Sequence, residues 1–147
     1  MFRRAFALGI ALLVGAASTS CMDFKSVEGD HRPISTHVTD WRNQVIYQVM
    51  VDRFDDGDRG NDYRIDRSSL ARYQGGDWLG VEDHLDYLQK LGVTALWISP
   101  IVKNVETDAG VDGYHGYWTQ DFTKLNPHFG NLSALRSLID AAHSRNM

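Results

Sequence analysis

The sequence predicts an α/β fold built on a parallel sheet, and three observations carry that prediction. Two short apolar runs, VIYQVMV (45–51) and VTALWIS (93–99), read as strands buried on both faces. Each run is followed by apolar residues at helical spacing, giving the order β-α-β-α. The connections are unequal. The helix-to-strand turn is essentially Gly92 alone, whereas both strand-to-helix connections are long, from about 52 to 80 and from about 99 to 130.

Each element has its own justification. The first run is rich in β-branched residues, which suit a pleated surface. The first helix follows from Val81, Leu85, Leu88 and Leu91, with Gly92 as its C-terminal stop. Pro100 ends the second strand. The second helix starts from Asn131 as N-cap and carries Leu132, Leu135, Leu138, Ile139 and Ala142 as its apolar stripe. Long connections after strands place function at the strand C-termini. Both a (β/α)₈ barrel and a doubly wound sheet do this, so loop length does not choose between them. A complete barrel takes about 250 residues. Two βα units are visible, and the last residues, SRNM, fall where a third strand should begin. The expectation is the N-terminal part of a larger protein, or a broken reading frame.

Composition narrows the function classes. A formal net charge of −4 over 147 residues argues against a nucleic-acid partner, which would want a basic face. A single cysteine excludes an internal disulfide framework and a cysteine-based zinc cluster. That cysteine follows a basic MFRR, an apolar AFALGIALLVGAA too short to span a bilayer comfortably, and the small residues STS. This is the layout of a secretory signal over 1–20. It resembles a bacterial lipoprotein signal in which Cys21 becomes the lipidated first residue, anchoring an exported protein at the periplasmic or cell-surface membrane. Ser18 stands where such signals usually carry Leu, and ordinary cleavage to a secreted protein with a free Cys21 is the alternative. Residues 22–40 are polar and aperiodic, and the segment 21–42 reads as a tether.

Two stretches carry chemistry. DRFDDGDRGND (52–62) is dense in carboxylates and carboxamides. An EF-hand is excluded by spacing: counting from Asp56, the sixth position is Asn61 rather than Gly and the twelfth is Arg67 rather than Glu. A solvated loop and a calcium site of another kind are both compatible with it. YHGYW (114–118) places three large aromatics and a histidine at the end of a polar, glycine-rich run. Such residues either anchor the loop in the core or present a flat apolar platform to a ligand. His84 and His143 read as surface residues, and His31 and His37 fall in the tether.

Five segments in order, VIYQVMVDRFDDGD, YQGGDWLGV, LGVTALWISPI, YHGYWTQDF and NPHFG, resemble the opening of an α-amylase superfamily catalytic domain, glycoside hydrolase family 13. The resemblance runs from about Asn43 to Met147 and is nearest to cyclodextrin glucanotransferases and extracellular amylases. It implies that 43–147 is the N-terminal portion of a (β/α)₈ TIM barrel, two βα units with long βα loops.

The resemblance also implies site roles. A structural Ca²⁺ would be held by Asp56, Asp58, Asn61 and Asp62, with the Gly75 carbonyl and Asp77 closing the site. Asp58 and Asp62 stand where the glucanotransferases often carry Asn, which adds negative charge and keeps the oxygens. Tyr117 would stack on a glucose unit, Trp118 would lie beside it, and His115 would hydrogen-bond a hydroxyl of the same sugar. Tyr114 is assigned to packing, Gly116 to a tight turn, and Asp52 to structure rather than chemistry. The implied parent is an exported, calcium-stabilised hydrolase of α-1,4-glucans acting by a retaining mechanism. Its catalytic carboxylates are expected on later strands, so no catalytic residue is assigned and the chain alone is expected to be inactive. The alternatives are a glucan transglycosylase and a non-catalytic, calcium- and glucan-binding surface lipoprotein.

Overall fold

The computed structural model describes Thr36 and residues 38–147. The leader, Cys21 with its proposed lipid, nearly all of the tether and His31 and His37 lie outside the described residues.

The parallel sheet has two strands. β1 (Ile46–Val49) pairs with β2 (Ala95–Ile98) in the register Ile46↔Ala95 to Val49↔Ile98. Side chains extend the pairing at both ends: Thr94 Oγ1 accepts from Val45 N, and Ser99 Oγ accepts from Val51 N, each at 2.9 Å. Among the described residues this sheet does not close into a barrel. Both strands are shorter than the apolar runs that predicted them, and burial on both faces is not what the structure shows. Val49 is buried, whereas Ile46 and Trp97 are more than half exposed. The reason is geometric. A strand alternates its faces, and the helices of this unit cover only one of them.

The first predicted helix is two. α1 (Trp78–Asp83) and α2 (Leu85–Lys90) meet at His84, whose backbone leaves helical geometry. An unbroken helix would have His84 N donate to Gly80 O. Here that carbonyl bonds the His84 ring Nδ1 at 3.0 Å, and the amide donates to Val81 O instead. The His84 side chain stays 45% exposed, as a surface residue would, with its ring edge-on to Phe54 and Nδ1 3.5 Å from Asp55 Oδ2. Val81, Leu85 and Leu88 are buried as the spacing predicts, but Leu91 is exposed at the helix end. α3 (Leu132–Ser144) begins as expected, with Asn131 Oδ1 accepting from Ala134 N at 3.0 Å. Its inner face is Leu135, Leu138 and Ala142, while Leu132 and Ile139 stand half-exposed on the flanks of the stripe. The core joins these helix faces to Val49, Val51, Tyr73, Trp78, Val93 and Phe129.

The second long connection is not structureless. β3 (Val102–Asn104) pairs antiparallel with β6 (Thr119–Leu125), and between them β4 (Thr107–Asp108) and β5 (Val111–Asp112) form a hairpin. Its two turn residues, Ala109 and Gly110, have φ of 47° and 82°, the two positive φ values of a type I′ turn.

Candidate functional site

The acidic loop and the GGDW stretch are tied together before any ligand is considered. Gly76 N donates to Asp52 O and Asp77 N to Asp55 O, both at 3.0 Å. Asp77 is the central staple. Its Oδ1 accepts from Gly57 N and Gly80 N, and its Oδ2 from Asp58 N and the Asn61 side-chain amide, at 2.7–3.2 Å. The same carboxylate therefore caps α1 and holds the acidic loop against it. Asp52 serves the structural role assigned to it. It is 2% exposed and accepts from the amides of Gln74 and Gly75. Burial outweighs these bonds and the Arg53 charge and pushes its carboxyl up to about 6.

The remaining loop oxygens are unequal. Asp58 Oδ1 accepts from Gly60 N at 2.8 Å and closes a 3-10 turn over Arg59–Asn61. Asp56 Oδ1, Asn61 Oδ1 and Asp62 Oδ1 are buried with no hydrogen-bond partner. Unmade bonds on buried oxygens are costly, and buried polar groups are rarely left so. Gly75, at φ 94°, lies directly against Asp62: a Cβ there would stand 2.5 Å from Asp62 Oδ1. Among the described residues no three His, Cys, Asp or Glu side chains converge on a metal-sized point. The free oxygens here come from two carboxylates and a carboxamide. Such a mixed, all-oxygen set suits a hard cation and lacks the nitrogen and sulfur ligands on which zinc sites are built. Desolvation, reinforced by the charges of Asp56 and Asp77, raises the Asp62 carboxyl above its usual range.

The aromatic stretch forms a second, separate feature. Gly116 turns the chain at φ 85°, and a Cβ there would meet Pro100 O at 2.9 Å, so the turn is pressed onto the end of the β2 connection. Tyr117 is 51% and Trp118 36% exposed, so neither is a core residue. Tyr114 packs inward, as assigned, with the Arg53 guanidinium 3.8 Å from its ring centre. The Trp118 backbone is clamped from below. Asn104, 2% exposed, accepts from Trp118 N at 2.6 Å and donates to Val102 O at 2.8 Å. His115 Nδ1 accepts from Tyr117 N at 3.0 Å, which leaves Nε2 carrying the hydrogen. Burial lowers its pKa, so the ring is neutral at pH 7. Tyr117 and Trp118 line an open groove with Val105, Asp108, Thr119 and Phe122.

Sequence reasoning passed over the residues that join the two long loops. His128, 3% exposed, is stacked between Tyr63 and Tyr73 and lies 3.0 Å from Glu106. Asp112, 1% exposed, takes Arg72 at 3.0 Å and Thr107 Oγ1 at 2.6 Å. His128 stood in plain view within NPHFG. Nothing local to that motif signals its partners, which lie 22 to 65 positions earlier.

This loop-dominated unit at the C-terminal end of a parallel strand pair matches a known family. The profile described as "Alpha amylase, catalytic domain" covers residues 48–147. The chain belongs to the α-amylase catalytic-domain family. Among its relatives, alpha-amylase 1 of Schizosaccharomyces pombe is 50% identical over 111 residues, covering 74% of this chain and 17% of that protein. A cyclomaltodextrin glucanotransferase of Paenibacillus macerans is 39% identical over 153 residues, covering 96% of this chain and 20% of that one. The crystal structure of an α-amylase from Geobacillus thermoleovorans, complexed with acarbose, superposes with a TM-score of 0.62 at 43% identity, covering 73% of this chain and 22% of that one. This α-amylase-family chain thus spans about a fifth of the length of the curated relatives it matches.

Proposed function

We propose that this chain is the calcium-stabilised, substrate-facing opening of an exported enzyme that cleaves α-1,4-glucosidic bonds in starch or maltodextrins with retention of configuration. The observation that carries the reading is the pair Tyr117 and Trp118, held at the surface by Asn104 and Gly116 in a chain of the α-amylase family. Glucose rings have apolar C–H faces and hydroxyl edges. A tyrosine face with a neutral imidazole N–H beside it matches both. Tyr117 is read as the stacking platform, Trp118 as its flank and His115 Nε2 as the donor to a sugar hydroxyl. Retention requires two carboxylates about 5–5.5 Å apart. Asp52 and Asp112 are not among them, because their oxygens are engaged by the fold.

In the same reading the loop binds one Ca²⁺. The free oxygens of Asp56, Asn61 and Asp62 form the heart of the site. Asp58, the Gly75 carbonyl and Asp77 complete it. The ion's role is structural, pinning the acidic loop to the GGDW stretch. The leader and Cys21 supply export and a lipid anchor.

The test is incubation of the purified full-length protein with starch and Ca²⁺, following reducing ends and the anomer first released. Expected are maltooligosaccharides released in the α configuration. Absence of cleavage together with retained starch affinity would overturn the enzyme reading in favour of a binding module. The 39% identity to a cyclomaltodextrin glucanotransferase across 96% of the chain supports one further reading, transglycosylation, which cyclic products in the same incubation would establish.

A further inference from the structure

The charge of the acidic loop is balanced from within the chain, and this resting balance points to a role for Arg67. The loop and the stretch that closes it contribute four carboxylates, Asp56, Asp58, Asp62 and Asp77. A divalent ion neutralises half of that charge. Arg67 brings its guanidinium to Asp56 Oδ2 at 2.5 Å and to Asp62 Oδ2 at 3.7 Å, while its Nε donates to Gln74 O at 3.0 Å. Arg59 stands 3.9 Å from Asp56 Oδ2. In both Asp56 and Asp62 the arginine takes Oδ2, and the atom left buried without a partner is Oδ1. One guanidinium thus joins both carboxylates and the backbone just before Gly75, on the opposite oxygens from those that face inward.

We propose that Arg67 is the internal counter-ion of this calcium site. It holds the two carboxylates and the Gln74–Gly75 backbone in their metal-binding arrangement when no ion is bound, and its charge sets the affinity for the ion lower than the carboxylates alone would give. The inference rests on the calcium reading above. Two effects of opposite sign follow. Like charges a few ångströms apart repel, which weakens Ca²⁺ binding. The planar fork fixes the ligands in advance, which stabilises the metal-free loop.

The test is calorimetric titration of the full chain with CaCl₂, alongside melting in EDTA and in excess CaCl₂, for wild type, Arg67→Gln and Arg67→Lys. Arg67→Gln is expected to bind Ca²⁺ at least threefold more tightly than wild type. Its loss of Tm is expected to be larger in EDTA than in CaCl₂. Arg67→Lys keeps the charge and loses the fork. It should show no gain in affinity and, by linkage, an equal loss of Tm in EDTA and in CaCl₂; tighter Ca²⁺ binding by Arg67→Lys would overturn the charge role, which keeps the inference testable if Arg67→Gln does not fold. Equal destabilisation of Arg67→Gln in EDTA and CaCl₂, or unchanged or weaker affinity in Arg67→Gln while wild type binds, would overturn the counter-ion role and leave the calcium site standing. Wild type that takes up no Ca²⁺ would instead sink the calcium reading itself, and this inference with it.

Discussion

His128 lies face to face with Tyr73, the ring centroids 3.5 Å apart and the planes 11° from parallel. Tyr63 covers the other face of the imidazole, and Glu106 Oε2 meets Nε2 at 3.0 Å. Arg64 and Asp112 are the other charged groups that act on it. Burial lowers the His128 pKa below its ordinary 6.5, outweighing the opposing pull of Glu106. The folded state therefore prefers the neutral ring. As pH falls below 6.5 the unfolded chain takes up a proton first, and stability is lost until the folded pKa is passed. His128→Phe keeps the stack and removes the titration. Expected from urea melts between pH 5 and 8 is a wild type that loses ground to the variant as pH falls. Asp52 acts in the opposite direction, its contribution fading as pH rises from about 4 towards about 6, but it is common to both proteins and cancels in the difference.

Asp77→Ala removes the acceptor of four N–H donors at once, three of them backbone amides. A lost N-cap costs about 1 kcal/mol, and each buried donor left unpaired about 1–3 kcal/mol, with water recovering the exposed share. The expected loss is about 2–4 kcal/mol, measured by urea unfolding in EDTA. A loss that appears only when Ca²⁺ is present would mean that Asp77 acts through the metal alone.

How much of this was legible beforehand differs by element. β1, β2, Gly92 and the Asn131 cap follow from short-range chemistry, and the structure has them at the expected places. The break at His84 is a local event too, but it depends on a side chain outcompeting an amide for Gly80 O, which apolar periodicity does not register. β6 was passed over because its pattern is mostly polar: Gln120, Thr123 and Lys124 are exposed, and even Phe122 faces outward. In the site, Tyr117 and Trp118 could be proposed from their loop context and the family's motif. Asn104, which fixes Trp118, is an ordinary strand-end residue until its partner 14 positions on is known.

Ca²⁺ removal should be felt as lost stability. A ligand at a hundred times its Kd adds about 2.7 kcal/mol to the state that binds it. EDTA is therefore expected to lower the Tm of the wild type by several degrees. Asp62→Ala deletes one of the three unpartnered oxygens and should lose most of that difference. Elemental analysis of the purified protein supplies the occupancy. Calcium at one equivalent in both proteins would refute the assignment of Asp62.

Tyr117→Ala separates platform from core. The ring is about half exposed, so its removal leaves no closed cavity, and the expected change in stability is under about 1 kcal/mol. Its partner His115 keeps its place, because the bond it accepts comes from the Tyr117 backbone, which alanine retains. Trp118 is likewise held through its backbone by Asn104. What disappears is the apolar face itself. The loss falls on kcat/KM whether the contact is made in the ground state or only in the transition state, and in the second case kcat falls with it. A stacking contact of about 1.5–3 kcal/mol corresponds to a fall of roughly 10- to 160-fold on starch in the full-length enzyme, with Tm nearly unchanged. Tyr117→Phe keeps the face and loses only the hydroxyl, so it should retain most of the activity. Unchanged kinetics in Tyr117→Ala beside a large fall in Tm would return Tyr117 to the packing residues and remove the aromatic pair from the substrate site.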